Sequence, residues 1–267
     1  MADRIALFSS ALSGWDARRV TATAAALGIG AVEWGVGPGQ ALAGPPDGAR
    51  ASALCADAGL AVAGLAVQDA AVTLATPRPA ARHVALAAAI GSPHVRFFAP
   101  VYERGSPGAA RRRARAGVDA LVEAGAASAV AILVETAPGT LAPSPELALS
   151  LVEHQPPSLA GVLYDPGNTV IEGLLAPALA VSLLGRHLRH VHVKNIYWAR
   201  TASGSAWRYA DLDRGAVAWP AVVAALDAAR YRGRLSIDHL ARRPTVAALG
   251  AETQRLREIV AGDGGRR

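Results

Sequence analysis

The sequence predicts an α/β chain folded as a single (β/α)8 TIM barrel. Three observations point to it. Short apolar runs alternate with amphipathic segments, which is the pattern of buried parallel strands covered by helices. Eight such strand–helix pairs follow one another within 267 residues, the size and rhythm of a closed eight-stranded barrel. No G-x-G-x-x-G follows the first apolar run, which weakens the doubly wound, dinucleotide-binding alternative.

The elements are read in order. Arg4–Phe8 is the first strand, followed by a helix from Trp15 to Leu27 that stops at Gly28. Gly30–Gly35 is the second strand, with Glu33 expected near its carboxyl end. A helix over Pro46–Ala58 ends at Gly59, a natural C-cap. Ala61–Val67 is the third strand, and a helix over Pro79–Ile90 follows it. His94–Phe98 is the fourth strand; after a loop, an Arg-rich helix spans Pro107–Gly125. Ala129–Glu135 is a near-continuous apolar run closed by a carboxylate, the fifth strand. Ser144-Pro145-Glu146 reads as an N-cap with Pro at the first helical position, opening a helix to His154. Gly161–Asp165 is the sixth strand, again closed by a carboxylate, and a helix covers Leu174–Leu184. Arg189–Asn195 is the seventh strand, followed by a long loop over Ile196–Gly215 and a helix over Trp219–Tyr231. Arg234–Asp238 is the eighth strand, and a last helix covers Val246–Val260. Residues 1–267 are expected to form one domain, with 261–267 a flexible polar tail.

Composition narrows the function classes. With 52% hydrophobic and 18% charged residues the chain can bury a full core. Cys55 is the single cysteine, so no intrachain disulfide or cysteine metal cluster is available, in keeping with a reducing cytoplasm. No signal-peptide pattern precedes the first strand, and no apolar run is long enough for a membrane span. A net charge of +6 permits nucleic-acid binding, but the arginines are scattered over many helices, so nucleic acid is disfavoured as a partner. A homodimer is the base-rate expectation.

The seventh strand is the unusual one. Arg189–Asn195 alternates at period two, so Val191 and Val193 share one face while His190, His192 and Lys194 share the other. Three ionisable groups on one strand face are costly to bury without a purpose. Lys194 is the only lysine among 27 basic Lys and Arg residues, which suggests that a compact amine was required there.

Barrel active sites lie at the carboxyl ends of the strands. The polar residues expected there are Glu33, Arg96, Glu135, Asp165, His192 with Lys194, and Asp238. Glu135, Asp165, His192 and Asp238 close four consecutive strands. One imidazole with three carboxylates is a hard, mostly oxygen donor set, suited to Mn²⁺, Mg²⁺ or Co²⁺ at least as well as Zn²⁺. The alternative is a carboxylate cluster held without metal by Arg96, Arg200 or Lys194.

Over essentially its whole length the chain also resembles the xylose-isomerase-like barrel superfamily, which holds sugar-phosphate isomerases and epimerases and the endonuclease-IV-type DNA repair enzymes. The carriers are Ala31-Val32-Glu33-Trp34, Leu133-Val134-Glu135-Thr136, Tyr164-Asp165-Pro166-Gly167-Asn168 and His190-Val191-His192-Val193-Lys194-Asn195. Gly215–Trp219 and Tyr231–Asp238 complete the series. The resemblance implies one divalent metal, Mn²⁺ in first place, on Glu135, Asp165, His192 and Asp238, with Glu135 and Asp238 moving the substrate proton. Two departures stand out: Asp238 occupies a position usually held by Glu, and Asn168 occupies one often held by His.

The function expected is a metal-dependent isomerase or epimerase of a small sugar, polyol or keto-sugar, with or without a phosphate group, working through a metal-stabilised enediolate. Glu135 is the expected base, with Asp238 or Lys194 returning the proton. Glu33, Arg96, Asn168, His190, Trp198, Arg200, Trp207 and Arg208 are the expected substrate contacts, with Trp34, Phe98, Tyr102, Trp198 and Trp207 as apolar walls or lid. The competing readings are a metal-free or catalytically altered barrel (a lyase, a partner-dependent subunit or a sugar-binding protein) and an endonuclease-IV-like nuclease. The second needs a three-zinc cluster, for which the seven histidines offer too few well-placed ligands.

Overall fold

The computed structural model describes residues 4–102, 104–173, 175–202, 204–241 and 243–262. Of the expected tail, 263–267 lies outside the described residues, as do Met1–Asp3, Glu103 of the loop after the fourth strand, and Leu174, the expected helix start.

In chain order the strands are β1 (Ile5–Phe8), β2 (Ala31–Val36), β3 (Ala61–Val67), β4 (His94–Phe98), β5 (Ala131–Glu135), β6 (Ala160–Tyr164), β7 (Leu188–Val193), β8 (Asn195–Thr201), β9 (Gly204–Ala210) and β10 (Leu235–Ile237). The helices are α1 (Ala17–Ala26), α2 (Pro45–Asp57), α3 (Pro77–Ala89), α4 (Pro107–Gly125), α5 (Pro145–Val152), α6 (Pro166–Glu172), α7 (Pro177–Leu184), α8 (Trp219–Ala228) and α9 (Val246–Val260). Among the described residues eight strands close a parallel barrel in the order β1-β10-β7-β6-β5-β4-β3-β2, so the chain is a (β/α)8 TIM barrel.

Period-two alternation sorts the strand residues. Val32, Trp34, Phe97, Val134, Tyr164, Val191 and Val193 face outward into the layer beneath the helices, where all are buried. The inward positions carry the polar residues, above a floor of small and aliphatic side chains, Ala6, Ala31 and Ala63 on one side and Ala131, Leu133 and Leu163 on the other. A register shift between β6 and β7 leaves Arg189 unpaired and turned outward, which keeps His190 and His192 inside.

Two elements differ from expectation. Pro166–Glu172 is a separate helix, α6, directly after β6: the Asp165 carboxylate accepts from the Asn168 amide at 2.9 Å and Pro166 supplies the first helical position. The expected loop 196–215 contains an antiparallel hairpin, β8–β9, paired from Asn195↔Ala210 to Thr201↔Gly204. Asn195 anchors its base, donating to the Leu212 and Val217 carbonyls at 2.8 and 3.0 Å. No single helix among the described residues is long and apolar enough to cross a membrane.

Candidate metal centre and active-site cavity

Four strands bring the chemistry to one end of the barrel. β5 ends on Glu135, β6 delivers Asp165, β7 carries His192 and, one residue beyond, Lys194, and Asp238 follows β10. The Asp238 amide donates to the Val193 carbonyl at 3.0 Å, holding that carboxylate beside β7.

The centre of the group is His192 Nδ1, a buried nitrogen without a hydrogen-bond partner. Glu135 Oε1 lies 3.4 Å from it, Asp238 Oδ1 3.7 Å and Asp165 Oδ2 3.8 Å. Ligand atoms of Glu135, Asp165 and His192 all lie within 4.8 Å of one another. Asp238 stands outside that tighter set, consistent with its side chain being one methylene shorter than Glu.

Beneath the imidazole lies Glu33. His192 Nε2 is 3.1 Å from each Glu33 oxygen, and His190 Nε2 is 2.9 Å from Oε2 and 2.8 Å from Ser236 Oγ. A carboxylate against Nε2 holds a proton there, so it is Nδ1, facing the three upper carboxylates, that gives up its proton when a cation binds. Phe8 stacks on the His192 ring at 4.9 Å and fixes its plane. Glu33, His94 and His190 form a second compact group, with the His94 and His190 rings 4.8 Å apart. Gly64 makes room for it, since a Cβ there would meet the His94 ring.

Each upper carboxylate is oriented by a further contact. Arg96 Nε sits 2.8 Å from Glu135 Oε2, its Nη1 donates to the Val67 carbonyl at 2.7 Å, and its guanidinium packs 4.1 Å from the Phe98 ring centre. Asn168 Nδ2 donates to Glu135 Oε1 at 3.1 Å. Lys194 Nζ lies 2.7 Å from Asp165 Oδ2 and 2.7 Å from Asp238 Oδ2. With Glu33 below on the two imidazoles, the group holds four carboxylates against two permanent cations, Arg96 and Lys194. The shortfall of two positive charges is one that a divalent ion, or protonated imidazoles, can fill.

The proton affinities follow from these neighbours. Burial favours the neutral form of Glu33, but the His192 and His190 imidazoles outweigh it and hold the carboxyl well below its usual range. Burial likewise opposes ionisation of Glu135, and Arg96 with His192 lowers it. Burial pushes Asp165 up to about 6, only partly offset by Lys194. Asp238, despite its burial, is drawn down to about 2 by Lys194 and His192. Burial works against the His192 imidazolium, yet Glu33, Asp238 and Glu135 raise its value well above the ordinary one. His94, buried and beside His190, falls to about 3 and is neutral at physiological pH.

Above these groups opens a cavity of about 430 Å³, within the range for a small ligand. Arg96, Glu135, Asn168, Lys194 and Asp238 reach its wall. Ser10, Gln68, Thr73, Thr140, Tyr209 and His239 add neutral polar surface, and Phe98, Ala99, Ala137 and Pro138 add apolar surface.

Several expected contacts are placed elsewhere. β2 runs on to Val36, so Glu33 is mid-strand and buried below His192; His190 lies in the same lower layer. Both face imidazole or carboxylate partners and are absent from the cavity wall. Trp198, Arg200, Trp207 and Arg208 lie on the β8–β9 hairpin and do not line the cavity; Trp198 is 49% exposed and pairs across the ribbon with Trp207. Trp34 belongs to the outer core, and the Tyr102 hydroxyl, exposed, donates to the Gly105 carbonyl. Among the expected aromatic walls Phe98 lines the cavity. Tyr209 and His239, stacked at 3.4 Å, line it as well and were not foreseen. Ser10, Gln68 and His239 each follow a barrel strand closely, so the strand-end rule that found Asp238 also points to them.

Comparisons with known proteins agree with this fold. No similar sequence is found among proteins of curated function. A D-allulose 3-epimerase from Methylomonas sp. superposes with a TM-score of 0.75 at 18% identity, over 96% of this chain and 98% of its own. The 3-keto-D-glucoside 4-epimerase YcjR from E. coli gives 0.74 at 13% identity, over 97% and 99%. A xylose isomerase-like TIM barrel protein from Mycobacterium smegmatis in complex with magnesium gives 0.70 at 14% identity, over 98% of each chain. At these identities the likeness is one of fold. The model of the xylose isomerase-like TIM barrel family matches residues 21–259, and the chain belongs to that family.

Proposed function

We propose that the chain is a divalent-metal-dependent isomerase or epimerase of a small sugar, polyol or keto-sugar. The observation that carries this reading is the unpartnered Nδ1 of His192, buried and faced by three carboxylates, two of which, Glu135 and Asp238, line a sugar-sized cavity. Glu135, Asp165 and His192 would hold the ion, with Asp238 at the margin. Hard oxygen donors favour Mn²⁺, with Mg²⁺, Co²⁺ and Zn²⁺ as alternatives. When bound, such an ion supplies Lewis-acid polarisation of a carbonyl. The sugar-epimerase neighbours and the magnesium-bound neighbour support the substrate class and the metal.

The protein's own groups divide the remaining work. Glu135, kept ionised by Arg96, takes a proton from the carbon next to the substrate carbonyl, and the Asn168 amide aims its Oε1. Lys194, whose ammonium Asp238 positions at 2.7 Å, is the donor that returns a proton to the electron-rich carbon. Removal by Glu135 and return by Lys194 inverts or relocates the hydrogen; Glu135 then loses a proton to water and Lys194 regains one, which restores both groups. Ser10, Gln68, Thr73, Thr140 and Tyr209 offer uncharged partners for hydroxyl groups, and Phe98 and Pro138 keep water from the reacting carbon.

The test is exchange in D₂O. The Mn²⁺-loaded protein, given a panel of ketoses, is expected to place deuterium on the carbon next to the carbonyl, and Glu135→Gln to lose the exchange. Absence of exchange and of isomer formation across the panel sinks the reading. A second reading, a barrel that works without metal, is favoured by one feature: the Lys194 ammonium already occupies two of the carboxylates. Metal content before and after chelation, set against activity, separates the two.

A further inference from the structure

Lys194 makes contacts that a structural surface lysine does not. Its Nζ is 2.7 Å from Asp165 Oδ2 and 2.7 Å from Asp238 Oδ2, with 8% of its side chain exposed. Asp165 Oδ1 is committed to the α6 N-terminus through the Asn168 amide. Oδ2 is therefore the oxygen Asp165 turns toward His192, and it is the oxygen that Lys194 holds.

The surroundings are shaped for this arrangement. A Cβ on Gly167 would lie 2.7 Å from Lys194 Cγ, so the glycine clears a channel for the lysine stem. Trp219 Nε1 donates to the Lys194 carbonyl at 3.0 Å, and the anchored Asn195 fixes the next residue. Everywhere else the chain uses arginine as its long cation. Arginine would bring a broad planar fork, whereas an ammonium is a compact point charge that fits between the two carboxylates.

We propose that Lys194 is an internal monovalent counter-ion that competes with the divalent ion for Asp165 and Asp238 and so sets the metal affinity of the site. This rests on the reading of Glu135, Asp165 and His192 as a divalent-cation site. In the metal-free protein the ammonium bridges two carboxylates that otherwise repel each other in a buried setting and offsets one of their two charges. A divalent ion gains Asp165 Oδ2 only against the repulsion of a cation already in contact with it. Removing the ammonium therefore acts with opposite signs: the metal-free protein loses stability, and the ion gains affinity.

The experiment compares wild type, Lys194→Met and Lys194→Arg, using Mn²⁺ alone as probe. Calorimetric titration gives affinity, and thermal melts in chelator and in Mn²⁺ give stability. Lys194→Met is expected to bind Mn²⁺ at least about tenfold more tightly than wild type, to melt lower in chelator and to gain more on adding Mn²⁺. Lys194→Arg, which keeps the charge, is expected to show no such tightening. If Lys194→Met does not fold, Lys194→Gln, whose amide can still donate to one carboxylate, carries the same expectation. Equal or weaker Mn²⁺ binding by the neutral variants overturns the proposal while leaving the metal site standing, because Lys194 would then be organising the ligands. If neither wild type nor the neutral variants bind Mn²⁺ or any other divalent ion, the metal site and the competition fall together.

Discussion

Glu33→Gln tests the buried base of the site. The substitution keeps shape and volume but removes a charge that is 0% exposed and accepts from both His192 and His190. A glutamine can offer its oxygen to one imidazole while turning its NH₂ toward the other. One charge-assisted hydrogen bond is thus replaced by a clash of donors, unless that ring changes tautomer. Hydrogen bonds to charged groups contribute about 1.5–3 kcal/mol each, so a loss of about 3 kcal/mol is expected. At about 2–4 °C per kcal/mol for a chain of this size, the melting temperature should fall by roughly 6–12 °C. The second consequence concerns His192. Without a carboxylate on Nε2, the tautomer that leaves Nδ1 free is no longer favoured, and Mn²⁺ affinity should drop about 10–100-fold. Calorimetric titration with Mn²⁺, at a temperature where the variant is fully folded, separates this effect from stability. Unchanged affinity would refute the idea that Glu33 sets the orientation of the ligand nitrogen.

Three further outcomes are expected. Glu135→Gln should lower deuterium exchange by at least about a hundredfold while the protein stays folded, which circular dichroism and exchange kinetics together check. In chelator, the melting temperature should fall as pH rises above 6.5. The folded-state value of His192 is raised, so its stabilising charge is fully present below the ordinary 6.5 and lost as pH climbs through the folded value; His192→Gln should flatten that slope. Gly117→Ala should destabilise by at least about 2 kcal/mol, although alanine is the better helix former, because a Cβ there would run into the Leu74 carbonyl; a denaturant titration measures it.

Much of this was readable because polarity and periodicity share a cause. In β7 the alternation of His190, Val191, His192 and Val193 is the alternation of barrel interior and outer core, so the strand's inward face could be named before its neighbours were known. Glu135, Asp165 and Asp238 stood out because a carboxylate ending an apolar run needs a partner. Depth along the barrel axis was not readable. Glu33 and Glu135 look alike in sequence, yet the β2–β3 register shift between Val32 and Glu33, and the extension of β2 to Val36, set Glu33 a layer lower. The hairpin β8–β9 escaped because its ladder is satisfied locally while its faces stay partly exposed, so it lacks the apolar run that marks a core strand. Helix α6 did carry a signal: Asp165 followed by Pro166 is an N-cap and first-turn pair, the pattern recognised at Ser144-Pro145.

The most direct measurement is a crystal structure of the protein soaked with Mn²⁺, with anomalous data recorded to locate the ion. Density bonded to Glu135, Asp165 and the Nδ1 of His192 is the expected result. Manganese bound elsewhere, attached through His192 Nε2, or absent at saturating concentration would contradict the claim that these side chains form a cation site.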